Sequence, residues 1–317
     1  MKGRALAFLL LCVSVVANAA YPEKPIRFIL PSAAGGSVDV LMRILADQMG
    51  KQMGVPFVVE NQPGGSFVPG TMNIVRAAPD GYTLGYGNIV SLATNKYLLK
   101  EVPYDVEKDL TLISNCVVVF NMLGVSPKLP VSTVAELIDY AKKNPGKLSN
   151  GSSGNGTTGH LGGELFKHMT GVDIVHVPYK GSAQAINDLM SGNIQVMFDN
   201  VPSIGPHAKA GRVKALGVSS PKRAATLPDV PAIAETVKGY ETDAWGGVIG
   251  PAKLPREIVQ RLVDEIRKAM AAPAVLERYK QLETEPDSSG PEAFLARIKR
   301  EQPKWEQVIK RSGAKVD

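Results

Sequence analysis

Cysteine is nearly absent from this chain: among 317 residues only Cys12 and Cys116 carry a thiol. A disulfide framework is therefore excluded, and a buried apolar core has to hold the fold together. Aromatic residues make up only 6% of the chain, and charge of either sign is dispersed rather than clustered. The 36 basic and 30 acidic residues give +6; without Lys2 and Arg4, which lie in an N-terminal leader, 34 face 30, or +4. So small and scattered an excess excludes a nucleic-acid-binding face, which needs a concentrated basic patch. Beyond the leader no apolar run approaches eighteen residues, so no membrane-spanning helix is expected. Internal repeats and low-complexity tracts are missing as well. What is present, 44% hydrophobic and 21% charged residues over a chain of this length, suits a globular protein of two domains.

The first twenty residues read as a secretory signal. Lys2 and Arg4 form a basic start, 5–16 is apolar, and Ala17-Asn18-Ala19 has the small-residue pattern of a cleavage site. Twelve helical residues span about 18 Å, short of the hydrocarbon core of about 30 Å, so the segment is a signal and not an anchor. Cleavage is expected after Ala19 or Ala20. Cys12 leaves with the leader; Leu11 before it is not the Gly or Ala of a lipoprotein signal. Cys116, in Cys116-Val117-Val118-Val119-Phe120, reads as a small buried hydrophobe.

From Pro25 onward strand-like and helix-like patterns alternate, which predicts an α/β fold. Strands are expected over 26–30, 57–60, 82–86, 147–150, 173–177, 194–198, 213–218 and 244–249. Helices are expected over 38–49, 133–142, 160–169, 183–190 and 256–270, with a short one ending near Ala77 and a helical C-terminus. The apolar run 112–125 is too long for one ordinary strand and reads as a strand that leaves one domain and enters another. These patterns predict a first domain of 21–120 plus 242–317 and a second of 121–241.

Several strand-to-helix loops carry the chemistry. Ala33-Ala34-Gly35-Gly36-Ser37 places small residues and free backbone N–H groups at a helix start, where the dipole favours an anion by about 0.3–1 kcal/mol. A tight turn capped by Ser37 or Asp39 explains it equally. The run 149–160 is the most distinctive segment. Gly154, Gly156 and Gly159 match G-x-G-x-x-G, but the next strand lacks the terminal acid that a dinucleotide site requires. Gly151 and Gly156 have P-loop spacing, yet Thr157 stands where a phosphate-binding Lys belongs. What remains suits a small carboxylate. Tyr179 and Lys180 add a ring and a cation to a third loop, as pocket wall and anion attractor or as hinge packing and a solvated charge. Asp199, after the strand 194–198, is placed to receive a ligand ammonium or to cap a helix.

Catalytic signatures are missing. There is no G-x-S-x-G elbow, because Gly151-Ser152-Ser153-Gly154-Asn155 ends in Asn. His160, His168, His176 and His207 lack the H-E-x-x-H spacing of a metal site. No catalytic residue, metal or cofactor is expected.

Together, Tyr21-Pro22-Glu23-Lys24-Pro25-Ile26-Arg27, Ala34-Gly35-Gly36 with Asp39, Glu60-Asn61-Gln62-Pro63-Gly64 and Pro79-Asp80-Gly81-Tyr82-Thr83-Leu84 form one set. Tyr104-Asp105 with Lys108-Asp109, His160-Leu161, His176-Val177-Pro178-Tyr179-Lys180-Gly181 and Leu227-Pro228-Asp229-Val230-Pro231 complete it. The whole exported chain resembles the Bug family of periplasmic receptors for tripartite tricarboxylate transporters. That resemblance implies a two-lobed type II periplasmic binding protein fold with a central cleft, closing on a small organic acid held by backbone N–H groups, hydroxyls and water. It places Ala34, Gly35, Gly36 and Asp39 on the first-lobe side of the pocket. Ser153, Gly154, Gly156, Thr157 and Thr158 fall on the second, with Tyr179 and Asp199 at the edge. Two departures from the family pattern stand out: Pro31-Ser32-Ala33 lacks the usual Phe, and Pro63-Gly64-Gly65-Ser66-Phe67 sets the Phe67 ring near the mouth. The implied partners are a small carboxylate and the membrane permease subunits, with the receptor acting as a monomer. Two other readings are a secreted enzyme using Asp39 or Asp199 as a base, and an adaptor that reports ligand to a membrane sensor kinase. Bulky replacement of Gly36 or Gly156 is expected to abolish binding while leaving the fold intact.

Overall fold

A computed structural model describes residues 21–312 apart from Ala225; the expected signal segment lies outside the described residues. The first three strands each run up to a loop. β1 (Ile26–Leu30) leads through 31–36 into α1 (Ser37–Met53), and β2 (Phe57–Asn61) leads through a left-handed turn into α2 (Val68–Val75). β3 (Thr83–Asn88) ends in a wide turn over Val90–Thr94, where Asn95 N–H reaches back five residues to the Val90 carbonyl, and then α3 (Asn95–Leu98). A short α4 (Val106–Asp109), capped by the Asp105 carboxylate, precedes β4 (Leu110–Val125).

β4 joins the two halves. Its first part pairs antiparallel with β9 (Asp243–Pro251) and its last part with β7 (Val196–Asn200) and β8 (Lys214–Val218). The second half is built from α5 (Val134–Lys143), β5 (Leu148–Ser152), α6 (Thr158–Thr170), β6 (Ile174–Pro178), α7 (Ser182–Ser191) and α8 (Val201–Lys209) around β7 and β8. After β9 the chain closes with α9 (Arg256–Met270), α10 (Pro273–Gln281), β10 (Glu285–Pro286) and α11 (Pro291–Ser312). The strand order is β2-β1-β3-β9-β4-β7-β5-β6, with β8 and β10 also on β4. β1 is parallel to β2 and β3, and β5 is parallel to β6 and β7, so each half carries its loops at the carboxyl ends of parallel strands. Ligands of open α/β sheets bind at such ends.

Each half has its own core. Phe28, Leu30, Leu41, Leu45, Val117 and Ile266 cluster in the first, and Leu123, Val134, Phe166, Phe198 and Tyr240 in the second. A third cluster brings Leu161 of α6 together with Trp245, Phe294 and Trp305, so α11 lies against both halves. At the crossing, the fully buried Ser219 ties the two connecting strands. Its Oγ accepts from Asn121 N–H at 2.8 Å and donates to the Thr242 carbonyl at 2.5 Å, while its N–H bonds the Asn121 carbonyl.

The sequence expectations differ from the structure at element ends. α1 runs on to Met53, past Gly50, because the left-handed C-cap is Gly54 (φ 73°), whose N–H returns to the Gly50 carbonyl. β7 extends through Asn200, so Asp199 is a strand residue opposite Met122 of β4 and not a loop residue after the strand. Cys116 is fully buried inside β4, and burial pushes its thiol pKa up to about 12.

Candidate functional site

In the first lobe the loop between β1 and α1 contains Gly35 at φ 78°, a left-handed conformation that a side chain resists. Gly35 donates its N–H to Asp39 Oδ2 at 2.9 Å, four residues on, inside α1. The other Asp39 oxygen accepts from Arg43 Nε at 3.0 Å and Asn61 Nδ2 at 2.8 Å. Burial alone raises a carboxyl pKa, but the bonds from Arg43, Gly35 and Asn61 outweigh it and hold Asp39 below the usual range. Asp39 is thus an anion turned onto its own loop, bracing it from behind; both its oxygens face protein donors. Ala34 and Gly35 are exposed, and Gly36, the N-cap of α1, has no side-chain cap. The first N–H groups of α1 consequently lack intrahelical partners.

The second lobe repeats this design between β5 and α6. Gly156, also at φ 78°, donates its N–H to Nδ1 of His160 at 3.0 Å, again four residues on. Thr157 caps α6: its Oγ1 donates to the Gly154 carbonyl at 2.7 Å and accepts weakly from His160 N–H at 3.5 Å. Gly154, at φ 146°, lies beneath the Tyr179 carbonyl. Ser153 and Thr157 are half-buried, and Thr158, the first residue of α6, is buried.

Beneath this loop lies a constellation that the sequence did not disclose. The rings of His160 and His176 stack at 3.9 Å between centroids, 14° from parallel, and His176 Nε2 lies 2.7 Å from Ser152 Oγ. Burial, then the neighbouring His176 and Lys167, lowers the His160 pKa to about 3; burial and Lys167 lower that of His176 to about 4. Both rings are therefore neutral at ordinary pH. The Ser–His contact resembles a nucleophile and its base, but Ser152 is fully buried and its hydroxyl is also bonded to Gly154. His160-Leu161 and His176-Val177 both belong to the segments that carry the family resemblance, but nothing in the spacing places the two rings in contact.

The lobes meet at these loops. Asn200 Nδ2 donates to Ser37 Oγ at 2.9 Å, and Gly156 faces Leu98 and Val90, which a Cβ at that position would meet at 2.7 and 3.3 Å. Asp199 is buried, and burial pushes its pKa up to about 6 against the opposing bonds from Ser182 and Asn200 N–H; its Oδ2 has no protein partner. Tyr179 points its hydroxyl outward from the loops to Asp188 Oδ2 at 2.6 Å, while its ring packs near Gly151. Phe67 ends four successive residues of positive φ, Gly64, Gly65, Ser66 and Phe67 (106°, 48°, 49° and 68°), and its ring packs against the cluster that includes Ile89 and Leu98. Left-handed geometry costs a non-glycine residue about 1–2 kcal/mol. Asn95 Nδ2, bonded to the Ser66 carbonyl at 2.8 Å, holds the turn. Among the described residues no group of three or more His, Cys, Asp or Glu is placed to hold a metal ion.

Known proteins share this fold. Residues 41–314 match the sequence profile of the tripartite tricarboxylate transporter family receptor. Protein BugT of Bordetella pertussis is 33% identical over 300 residues, 93% of this chain and 91% of BugT. The solved structure of Rpa4515 of R. palustris with adipate superposes with a TM-score of 0.89 at 35% identity, covering 92% of this chain and 98% of that one. MatC of Rhodopseudomonas palustris with bound malate gives a TM-score of 0.84 at 26% identity, over 91% of this chain and 100% of that one. The two-lobed periplasmic binding fold is therefore shared over nearly the whole chain.

Proposed function

This chain belongs to the tripartite tricarboxylate transporter receptor family, and on that premise we propose that it is an exported receptor whose lobes close on a small dicarboxylate. The observation that carries this reading is the matched pair of glycine loops, each at a helix start and each braced by a side chain four residues on. In this reading the two loops offer uncommitted N–H groups and two helix dipoles to one anion between the lobes. Charge-assisted bonds of this kind contribute about 1.5–3 kcal/mol each once water is excluded. Adipate and malate in two relatives argue for a ligand of four to six carbons carrying two carboxylates. Loops 33–37 and 153–158 are the contact surfaces in this reading, with Asp199 at the edge and Phe67 shaping the mouth. The closed form then presents the ligand to membrane permease subunits. The burial of Ser152 and the bonding of both Asp39 oxygens leave neither free for catalysis.

Thermal-shift and calorimetric titration of the exported protein against malate, adipate, citrate, amino acids and nucleotides tests this. A dicarboxylate at a hundred times its dissociation constant is expected to add about 2.7 kcal/mol, seen as several degrees, and to be recovered unchanged by mass spectrometry. A shift with nucleotides alone, or chemical turnover of the bound acid, would overturn the reading.

A further inference from the structure

The two loops are alike in backbone and unlike in the group that braces them. Gly35 and Gly156 share φ 78°, and each donates its N–H into the helix that follows. Behind Gly35 the acceptor is a carboxylate; behind Gly156 it is an imidazole nitrogen. The difference has an electrostatic consequence. Asp39 sets a negative charge beside the start of α1 and offsets the positive end of the helix dipole there, itself paired with the half-exposed Arg43. His160 provides an acceptor without a charge, so the positive end of α6 stays unopposed where it faces the cleft.

We propose that His160 is the positioning residue of the second-lobe loop: its neutral ring fixes the Gly156 amide so that the remaining amides at the start of α6 are held toward a ligand carboxylate. This rests on the receptor reading above. Three observations carry it. Gly156 N–H is already engaged by His160, so it is not among the donors offered to a ligand, and the directions of the neighbouring amides follow from where it is pinned. With Nδ1 accepting, the ring proton resides on Nε2, a single tautomer. The ring is itself held, buried to 5% exposure and stacked on His176, which Ser152 anchors in turn. Ser152 bonds Gly154 as well, so both ends of the loop are fixed through one chain of contacts. The lowered pKa of both rings agrees with this role, because a charged imidazole has no lone pair to offer Gly156.

Two replacements separate the acceptor from the packing. In His160→Asn the amide oxygen takes the place of Nδ1; in His160→Leu the volume is kept and the acceptor lost. With adipate and malate as probes, Leu is expected to weaken binding about ten-fold or more and Asn less than about three-fold, compared at temperatures equally far below each variant's melting point. Nitrogen-15 spectra of the ligand-free protein are expected to show an unprotonated His160 Nδ1 and a Gly156 amide that exchanges slowly in the wild type and in Asn but quickly in Leu. Equal affinity and equal Gly156 protection in the two variants would overturn the proposal. If the wild type binds no dicarboxylate, the receptor reading fails by itself. The Gly156 amide then still decides the positioning: protection lost only in Leu supports it, and protection unchanged in Leu rejects it.

Discussion

Asn200, at the end of β7, donates its side-chain amide to Ser37 Oγ, the first residue of α1, at 2.9 Å across 163 residues of sequence. This bond joins the loop-bearing edges of the two lobes. A hydrogen bond of this kind contributes about 1 kcal/mol net. Ser37→Ala is therefore expected to weaken dicarboxylate binding about five-fold, through faster dissociation more than slower association. Stopped-flow release kinetics check it; an unchanged dissociation rate would show that the bond does not hold the lobes together.

Gly156 and Gly36 respond differently to substitution. A Cβ on Gly156 meets Leu98 Cδ1 at 2.7 Å and Val90 Cγ1 at 3.3 Å in the opposite lobe, and φ 78° disfavours any side chain. Gly36 has φ −75°, and a Cβ there meets only the Ala33 carbonyl, at 3.7 Å. Gly156→Val is expected to abolish binding and lower the melting temperature by several degrees, so the fold is not left untouched. Gly36→Ala is expected to keep the melting temperature within about a degree, its backbone being unstrained. Calorimetry and melting curves of both variants test the contrast; wild-type affinity in Gly156→Val would refute it.

The stacked histidines set a pH dependence. Their unfolded value is near 6.5, and in the fold His160 is lowered to about 3 and His176 to about 4, chiefly by burial. A base with a lowered folded pKa contributes stability that is complete above 6.5 and is progressively lost as pH falls from 6.5 through 4 toward 3. The groups facing the pair are each other and Lys167, itself bonded to Glu164 at 2.9 Å. Asp199 acts in the opposite sense: raised from 3.8 to about 6, its contribution is lost as pH rises through that interval. The histidine shifts are larger and two in number, so the melting temperature is expected to fall between pH 7 and pH 4.5. In the double variant His160→Asn, His176→Asn the decline should flatten; an equally steep one would assign the acid sensitivity elsewhere.

Ser219 offers a test of the crossing point. Replacing it with Ala leaves the Asn121 N–H and the Thr242 carbonyl without their hydroxyl partner in a site that excludes water. The expected loss is about 1–3 kcal/mol in denaturant unfolding. A change below about 0.5 kcal/mol would mean that the strands are tied by their other bonds alone.

Much of the secondary structure follows from local pattern. The helix read over 256–270 is the helix formed, Arg256–Met270, because its apolar positions repeat with the helical period and Pro255 marks its start. The long apolar run read over 112–125 is β4, Leu110–Val125, continuous because it is buried in both halves. The Gly-rich loops were visible as loops for the same reason, since turns of positive φ select glycine. Site chemistry was less legible. Asp39 sat in the expected segment, but that both its oxygens are taken by Gly35, Arg43 and Asn61 depends on β2 lying beside β1. Sequence alone leaves the Tyr179 ring as a wall or as packing, and its bond to Asp188 emerges only from the placement of α7.

By itself the sequence determined the alternation of strands and helices, the places where the backbone had to turn through glycine, and the absence of a disulfide frame. These are properties of near neighbours along the chain, where propensity and periodicity act directly. The tertiary structure alone decided that His160 lies on His176, that His176 meets Ser152, and that Asn200 reaches Ser37. Such contacts join residues 16, 24 and 163 positions apart, and their geometry follows from strand order and helix packing, which no local pattern encodes. Burial then changed the chemistry of those groups, turning two histidines into neutral supports.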